Sequence, residues 1–475
     1  MTPADRAFDQ LMHLAGRPRP AFVSIADEPA AMNTRFHAEA AAAATLAAIG
    51  TLAADLWTMR TRQSQEVAVS PREAGAALVS FALQVFEDPA RAPPLRPDDA
   101  GGGGRGTPAM GFFETKDGRH VFLHPSFPSS AAKLHKLLGS PADAAAVAAT
   151  AKTWTAMDLE NAIAEAGVCG AMARTAEEWD QSEQGRILAA RPLVEVVKIA
   201  DGPPMPLPAS GDTPLSGVRT LDLTRVLAGP TCGRTLAQHG ADVLYIASPN
   251  LPATEFFISD VGHGKLSAWL DLTDPAQLAR LKELVAEADV FSQGYRLGSL
   301  ERMGLGPLDL ARLRPGIVYT SINAYGHEGR WANRPGWEQL AQTATGMADI
   351  HGATFGGSGP RLQPAAVADY TTGFLAAFGT MIALERRARY GGSYLVRVSL
   401  AQTAMWLRAL GLKSMGELGA VQPASPAEID GWRIGSPSGF GPVRHLRPAV
   451  RMSATPARWS RPTTPLGAHA AAWPA

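Results

Sequence analysis

The sequence predicts an α/β protein in which a parallel sheet of nucleotide-fold type stands beside a smaller α+β portion. Three observations lead there. Strand-like and helix-like segments alternate from Ser216 onward, a hairpin followed by helical patterns fills 111–200, and one helix–strand unit occurs twice.

The repeat is the most telling of the three. Ala47-Ala-Ile-Gly-Thr-Leu52 matches Ala376-Ala-Phe-Gly-Thr-Met381, and Val67-x-Val-Ser70 matches Val396-x-Val-Ser399. The offset is a constant, ungapped 329 positions (Gly50 to Gly379, Ser70 to Ser399). Asp369, which opens the second copy, falls on Ala40 of the first, so only one copy carries the acid.

Taken in order, residues 1–88 are helical, Ala-rich and end in the first copy. Residues 89–110 read as loop, with Pro93, Pro94, Pro97 and the run Gly101-Gly102-Gly103-Gly104. In 111–200, two strands flank the turn Asp117-Gly118, and helical patterns follow at 131–138, 157–166 and 176–189. A linker dense in Pro and Gly covers 201–215. In 216–475, strands are expected at 218–223, 243–246, 289–292, 316–322 and 394–399. Helices are expected from Ala228 to about His239, at 275–288 and at 308–313.

A chain of 475 residues, 46% hydrophobic and 19% charged, is long enough for two or three buried cores. Zero net charge and a pI near 7.2 give no footprint for nucleic acid or an anionic membrane. Cys169 and Cys232 make no disulfide framework and fit a reducing compartment. The apolar run 40–54 is 15 residues, short for a bilayer span, and Met-Thr-Pro-Ala-Asp-Arg lacks a basic region feeding an apolar core. A cytoplasmic location is the expectation.

The turn Ala228-Gly229-Pro230 can either close a strand–helix connection or seat a phosphate on free helix-start N–H groups. Asp369 can serve as an N-cap or as a carboxylate nucleophile that attacks an activated acyl group. The two roles are compatible, since helix-start N–H groups also stabilise an oxyanion. Gly101–Gly104 reads either as a plain linker or as a cover for a reactive intermediate. Cys232 near a helix start could carry a lowered pKa, but no His or Asn accompanies it. The histidines show no metal-ligand spacing, and no metal is expected.

A resemblance joins these pieces. The runs Gly217-Val-Arg-Thr-Leu-Asp-Leu-Thr-Arg225-Val-Leu-Ala-Gly-Pro230, Leu236-x-x-x-Gly-Ala-Asp-Val243 and Gly264-Lys265-x-Ser267-x-x-Leu270-Asp-Leu272 are similar to the family III CoA-transferases. Tyr295-Arg296-x-Gly298-x-Leu-Glu-Arg302-Met-Gly304 and Arg334-Pro-Gly-Trp-Glu-Gln-Leu-Ala-Gln342 continue the likeness to Asp369 and to Pro465-Leu-Gly-Ala-His469. Residues 111–195 resemble the small domain of the same family, and the glycine run stands where formyl-CoA transferase has its glycine loop. The chain therefore reads as two fused units, the first cut down to its back half.

The resemblance implies a Rossmann-like large domain plus a smaller α+β domain. It also implies an acyl-CoA:carboxylate CoA-transferase that works through an aspartyl-CoA thioester on Asp369. Arg225, Ala228, Gly229, Lys265, Arg296, Arg302 and Arg334 are the implied CoA contacts. Coenzyme A enters as part of the substrate, with no tightly bound cofactor. Acyl-CoA and a carboxylic acid are the partners, and the assembly is a homodimer or a pseudo-dimeric single chain. Three departures stand out: Tyr245-Ile246-Ala247 replaces the usual Lys-Val-Glu, Leu266 an arginine and Leu297 a proline. Trp337 stands where the racemase branch has its proton base, and indole only donates. An acyl-CoA-binding pseudoenzyme and an acyl-CoA lyase or isomerase using Asp369 as acid–base are the alternatives.

Overall fold

The computed structural model describes residues 1–93, 109–208 and 210–474. The run Gly101, Gly102, Gly103, Gly104, expected above as a covering loop, lies outside the described residues.

Seven strands form the largest sheet: β1 (Glu195–Ala200), β2 (Arg219–Leu223), β3 (Asp242–Ala247), β4 (Lys265–Trp269), β5 (Val290–Gln293), β6 (Val318–Asn323) and β7 (Ser393–Ser399). They lie in the order β4-β3-β2-β5-β6-β7-β1. All neighbours are parallel except β1, which runs antiparallel to β7. Side chains alternate between two cores because successive residues of a strand face opposite ways. Val243, Val290, Val318 and Val396 feed one core, and Leu221, Leu244, Phe291 and Tyr319 the other. The order reverses between β2 and β5, and in such sheets a ligand crevice opens beyond the carboxyl ends of the strands at that point.

Two elements differ from expectation. Glu195–Ala200, placed by sequence at the end of the smaller α+β part, pairs instead with β7 as the edge strand of the large sheet. The strand Lys265–Trp269 was not expected, since Lys-Leu-Ser-Ala-Trp lacks a β-branched run.

A second, antiparallel sheet joins Gly111–Glu114, His120–Leu123 and Gly170–Met172. Its hairpin turns at Gly118, whose φ of 72° suits glycine. Helices Pro128–Leu138, Ala144–Ala151 and Ala156–Glu165 cover it through Phe113, Val121, Leu134, Val147, Leu159 and Ile163. The single helix expected over 176–189 is two, Ala176–Gln181 and Glu183–Ala189. They break where the Ser182 hydroxyl accepts the N–H of Gly185.

Five helices position the site: α1 (Ala38–Thr61), α2 (Ala228–Gln238), α3 (Glu338–Ala344), α4 (Val367–Tyr390) and α5 (Leu400–Ala409). The repeat seen in sequence is a repeat in structure. Helices α1 and α4 are both 24 residues long, with bounds displaced by the same 329 positions. Each leads to a strand and then to a serine that caps the next helix: Ser70 accepts from Glu73 and Ser399 from Gln402. Val67–Val69 lies between parallel Val23–Ile25 and antiparallel Val450–Met452, as β7 lies between β6 and β1.

Both helices are long and apolar enough to cross a membrane by length and composition, but 94% of the apolar window of α1 and 100% of that of α4 are buried inside the protein. The 15-residue apolar run read from sequence is thus the middle of a longer core helix. Close approach requires the matching glycines. A Cβ on Gly50 would stand 2.5 Å from Val67, and one on Gly379 would stand 2.6 Å from both Val194 and Val396.

Candidate active site

Beyond the carboxyl ends of β2 and β5 lies a cavity of about 500 Å³. Its lining includes Thr224–Gly229 after β2, Gly294–Leu297 after β5, Asn323 at the end of β6 with Ala324 after it, and Leu400 after β7, so the crevice sits where the sheet order reverses. The opposite wall is His124, Ser126, Phe127, Ser129, Ser130 and Lys133 from the hairpin end and the following helix, with Gly167 and Cys169. Both walls belong to one chain.

Asp369 is on this cavity, buried, as the third residue of α4. It is not the N-cap. That position is Ala366, whose side chain makes no cap bond. The capping carboxylate arrives from another helix. Glu338, first residue of α3, accepts the N–H of Ala368 at 2.8 Å and the side-chain amide of Gln342 at 2.9 Å. Burial pushes the pKa of both carboxyls well above the ordinary range, and the charge of Asp369 raises Glu338 further. Two carboxyls coupled in this way titrate as a pair.

The turn from β2 to α2 is tightly built. Val226 has φ of 70°, a strained value for a β-branched residue, and it lines the cavity. Gly229 is required sterically, because a Cβ there would lie 2.3 Å from the Cβ of Thr224. Gly373 of α4 does the same against α2, where a Cβ would meet the carbonyl oxygen of Ala228 at 2.4 Å. Arg225 donates to the carbonyl of Pro252 and lies over the ring of Phe127 at 5.1 Å. Arg296 donates to the carbonyl of Gly167 at 3.2 Å, joining the two walls. Arg334 stands 3.6 Å from Glu160, which Arg174 already grips with two bonds, and 4.0 Å from the ring centre of Trp331.

Asp369, Arg225, Ala228, Gly229, Arg296 and Arg334 therefore meet at one cavity. Lys265 and Arg302 do not line it. The Lys265 ammonium is buried at 2.7 Å from both Asp222 and the carbonyl of Pro230, and Asp222 in turn accepts the N–H of Thr224. Lys265 thus braces the floor of the turn from beneath. Arg302 is exposed, in the short turn Glu301–Met303. Cys232 is buried, and burial pushes its thiol up to about 12, opposite to an activated cysteine.

The structure adds residues that sequence reasoning left out. Glu338 sits in the quoted run after Trp337, and a carboxylate at a helix start four residues past Arg334 was a readable signal. His124 had none. Its imidazole lies parallel to the indole of Trp337, centroids 4.5 Å apart and planes at 16°. Trp337 cannot itself take a proton, but an imidazole from elsewhere in the chain stands against it. In the first copy, Ala40 is buried and its neighbour Glu39 is ion-paired to Lys413 at 2.9 Å, so no carboxyl pair forms there.

Comparison with known proteins agrees with this architecture. The profile of CoA-transferase family III matches residues 6–205 and 215–428, and the chain belongs to that family. An acyl-CoA transferase of Gibberella moniliformis is 39% identical over 52% of this chain and 46% of its own length. An acetyl-coenzyme A transferase of Hypoxylon pulicicidum is 34% identical over 50% and 42%. The succinyl-CoA:glutarate CoA-transferase of Mus musculus is 35% identical over 39% and 45%. The chain thus spans less than half the length of these curated relatives.

Proposed function

We propose that this chain transfers CoA from an acyl-CoA to a carboxylic acid, with Asp369 as the nucleophile. The observation that carries this reading is the buried Asp369–Glu338 pair at the floor of a cavity lined by Arg225, Arg296 and Arg334. Names borne by relatives support the same chemistry.

In its ionised form Asp369 attacks the thioester carbonyl, giving a mixed anhydride and releasing CoA thiolate. The thiolate attacks the aspartyl carbonyl and frees the first acid as its carboxylate. The acceptor carboxylate then attacks the aspartyl-CoA thioester, giving a second mixed anhydride and CoA thiolate. That thiolate attacks the acceptor acyl carbonyl to form the new CoA ester and free the Asp369 carboxylate. Each step exchanges one activated acyl bond for another. Guanidinium groups suit the CoA phosphates, and burial keeps water from the anhydride. Glu338 holds the start of α4 and titrates together with Asp369, which sets when Asp369 is free to attack.

Intact-protein mass spectrometry after incubation with an acyl-CoA panel tests this. A CoA-sized adduct cleaved by hydroxylamine and lost in Asp369→Ala is expected. CoA binding without any adduct would leave an acyl-CoA-binding pseudoenzyme.

One observation favours a second reading. Carboxyls with raised pKa values, with His124 on the same cavity, also suit proton transfer. A lyase or isomerase would convert one acyl-CoA with no acceptor present.

Since both walls come from one chain, we take a single chain as the catalytic unit. Sedimentation of active protein at one-chain mass is expected, and an obligate dimer would overturn this.

A further inference from the structure

Trp337 lines the cavity and immediately precedes Glu338, whose carboxylate bonds the first turn of α4. Asp369 and Glu338 line the same cavity. Neighbours hold it on several sides: His124 stacked at 4.5 Å, the ring of Phe127 at 5.4 Å and the Cys169 thiol in side-chain hydrogen-bonding contact. A π surface pinned in this way keeps one orientation and offers what remains exposed to whatever enters. Leu227, Ile322, Ala324 and Leu400 add apolar lining to the same cavity.

Charge points the same way. Burial raises the pKa of Asp369, and burial together with the charge of Asp369 raises that of Glu338. The guanidiniums of the cavity each keep a protein contact, Arg225 at Pro252, Arg296 at Gly167 and Arg334 at Glu160 and Trp331, and with Lys133 they suit the CoA phosphates rather than the acyl body. A second carboxylate on the acyl body of a substrate that reached Asp369 and Glu338 would be buried beside two carboxyls, which is costly. A flat apolar body meets no such penalty and gains ring contact.

We propose that Trp337, backed by His124 and Phe127, determines the acyl specificity of this site, and that the acids it takes carry a flat, carbon-rich body such as an arene or conjugated alkene. This rests on the CoA-transfer reading above.

The test is calorimetric binding to Asp369→Asn, which cannot form the thioester, with CoA, phenylacetyl-CoA and succinyl-CoA as probes. Phenylacetyl-CoA is expected to bind about tenfold tighter than CoA, and succinyl-CoA no tighter than CoA. Adding Trp337→Leu removes the gain, and Trp337→Phe restores most of it, which a general loosening of the fold would not do. The ranking on intact Trp337 decides the matter even where a Trp337 variant fails to fold. Equal affinity for the two acyl-CoAs, or preference for succinyl-CoA, overturns the proposal and leaves CoA transfer standing. Absence of binding by CoA itself sinks the underlying reading and the proposal with it.

Discussion

Thr34 donates its hydroxyl to the side-chain oxygen of Gln363, a residue 329 positions later and its own counterpart in the repeat. Counterparts of the two copies thus touch, and helices α1 and α4 pack against each other. The backbone N–H of Gln363 is held in turn by Gln342, the same residue that donates to Glu338. The copy without the acid is thereby part of the support for the copy that has it.

The matched glycines make that packing testable. Alanine at Gly50 or Gly379 regains up to about 1 kcal/mol of helix propensity. The clash with Val67, or with Val194 and Val396, costs about 1–3 kcal/mol. We expect a net loss on the order of 1–2 kcal/mol for either variant in urea unfolding, with the m-value unchanged.

The carboxyl pair predicts a pH dependence whose sign follows from its raised native pKa values. Unfolded carboxyls ionise near pH 4, whereas the native pair keeps its protons longer. The stability contributed by the pair is complete at acid pH and falls as pH rises through the native values. Glu338→Gln or Asp369→Asn should therefore unfold at higher temperature than wild type above about pH 8, and the advantage should vanish near pH 4. Turnover should rise with pH across the same window as Asp369 ionises.

Lys265 offers a contrast between bracing and binding. Lys265→Met would leave Asp222 buried and unpaired, a loss of about 3–5 kcal/mol. Adding Asp222→Asn should recover much of it. Thermal unfolding of the two variants checks this, and recovery in the double variant should restore CoA affinity with it.

A further contact ties the halves together. Tyr370, next to Asp369, donates to Asp260 at 2.7 Å, as does Ser80 of the first unit at 2.9 Å, and Arg234 holds the other oxygen at 2.7 Å. Tyr370→Phe and Ser80→Ala should each cost about 1–2 kcal/mol, with a coupling energy that a double-mutant cycle would show.

Much of this was legible in the sequence. The alternation of β2, β3, β5, β6 and β7 with helices could be read, because strands buried on both faces carry long apolar runs. The repeat announced its own pairing through spacing alone. Strand β4 and the edge strand β1 escaped notice, since Lys265–Trp269 and Glu195–Ala200 mix charge with apolar residues and are fixed by their neighbours in the sheet. The site divides in a similar way. Asp369 and the β2–α2 turn belong to local patterns, whereas His124 meets Trp337 only because the small sheet is folded over the large one. Lys265 misled because a buried ion pair and a phosphate ligand look alike in a linear motif.

The two central helices also set a schedule for synthesis. Helix α1 is finished 329 residues before its partner α4. At about 5–20 residues per second, the ribosome leaves that apolar surface waiting on the order of half a minute for the helix that will cover it. During that interval its protection must come from the nascent chain already made or from a chaperone. A fragment ending before residue 367 would never leave that state, and such a fragment should be recovered in aggregates when the full chain is soluble.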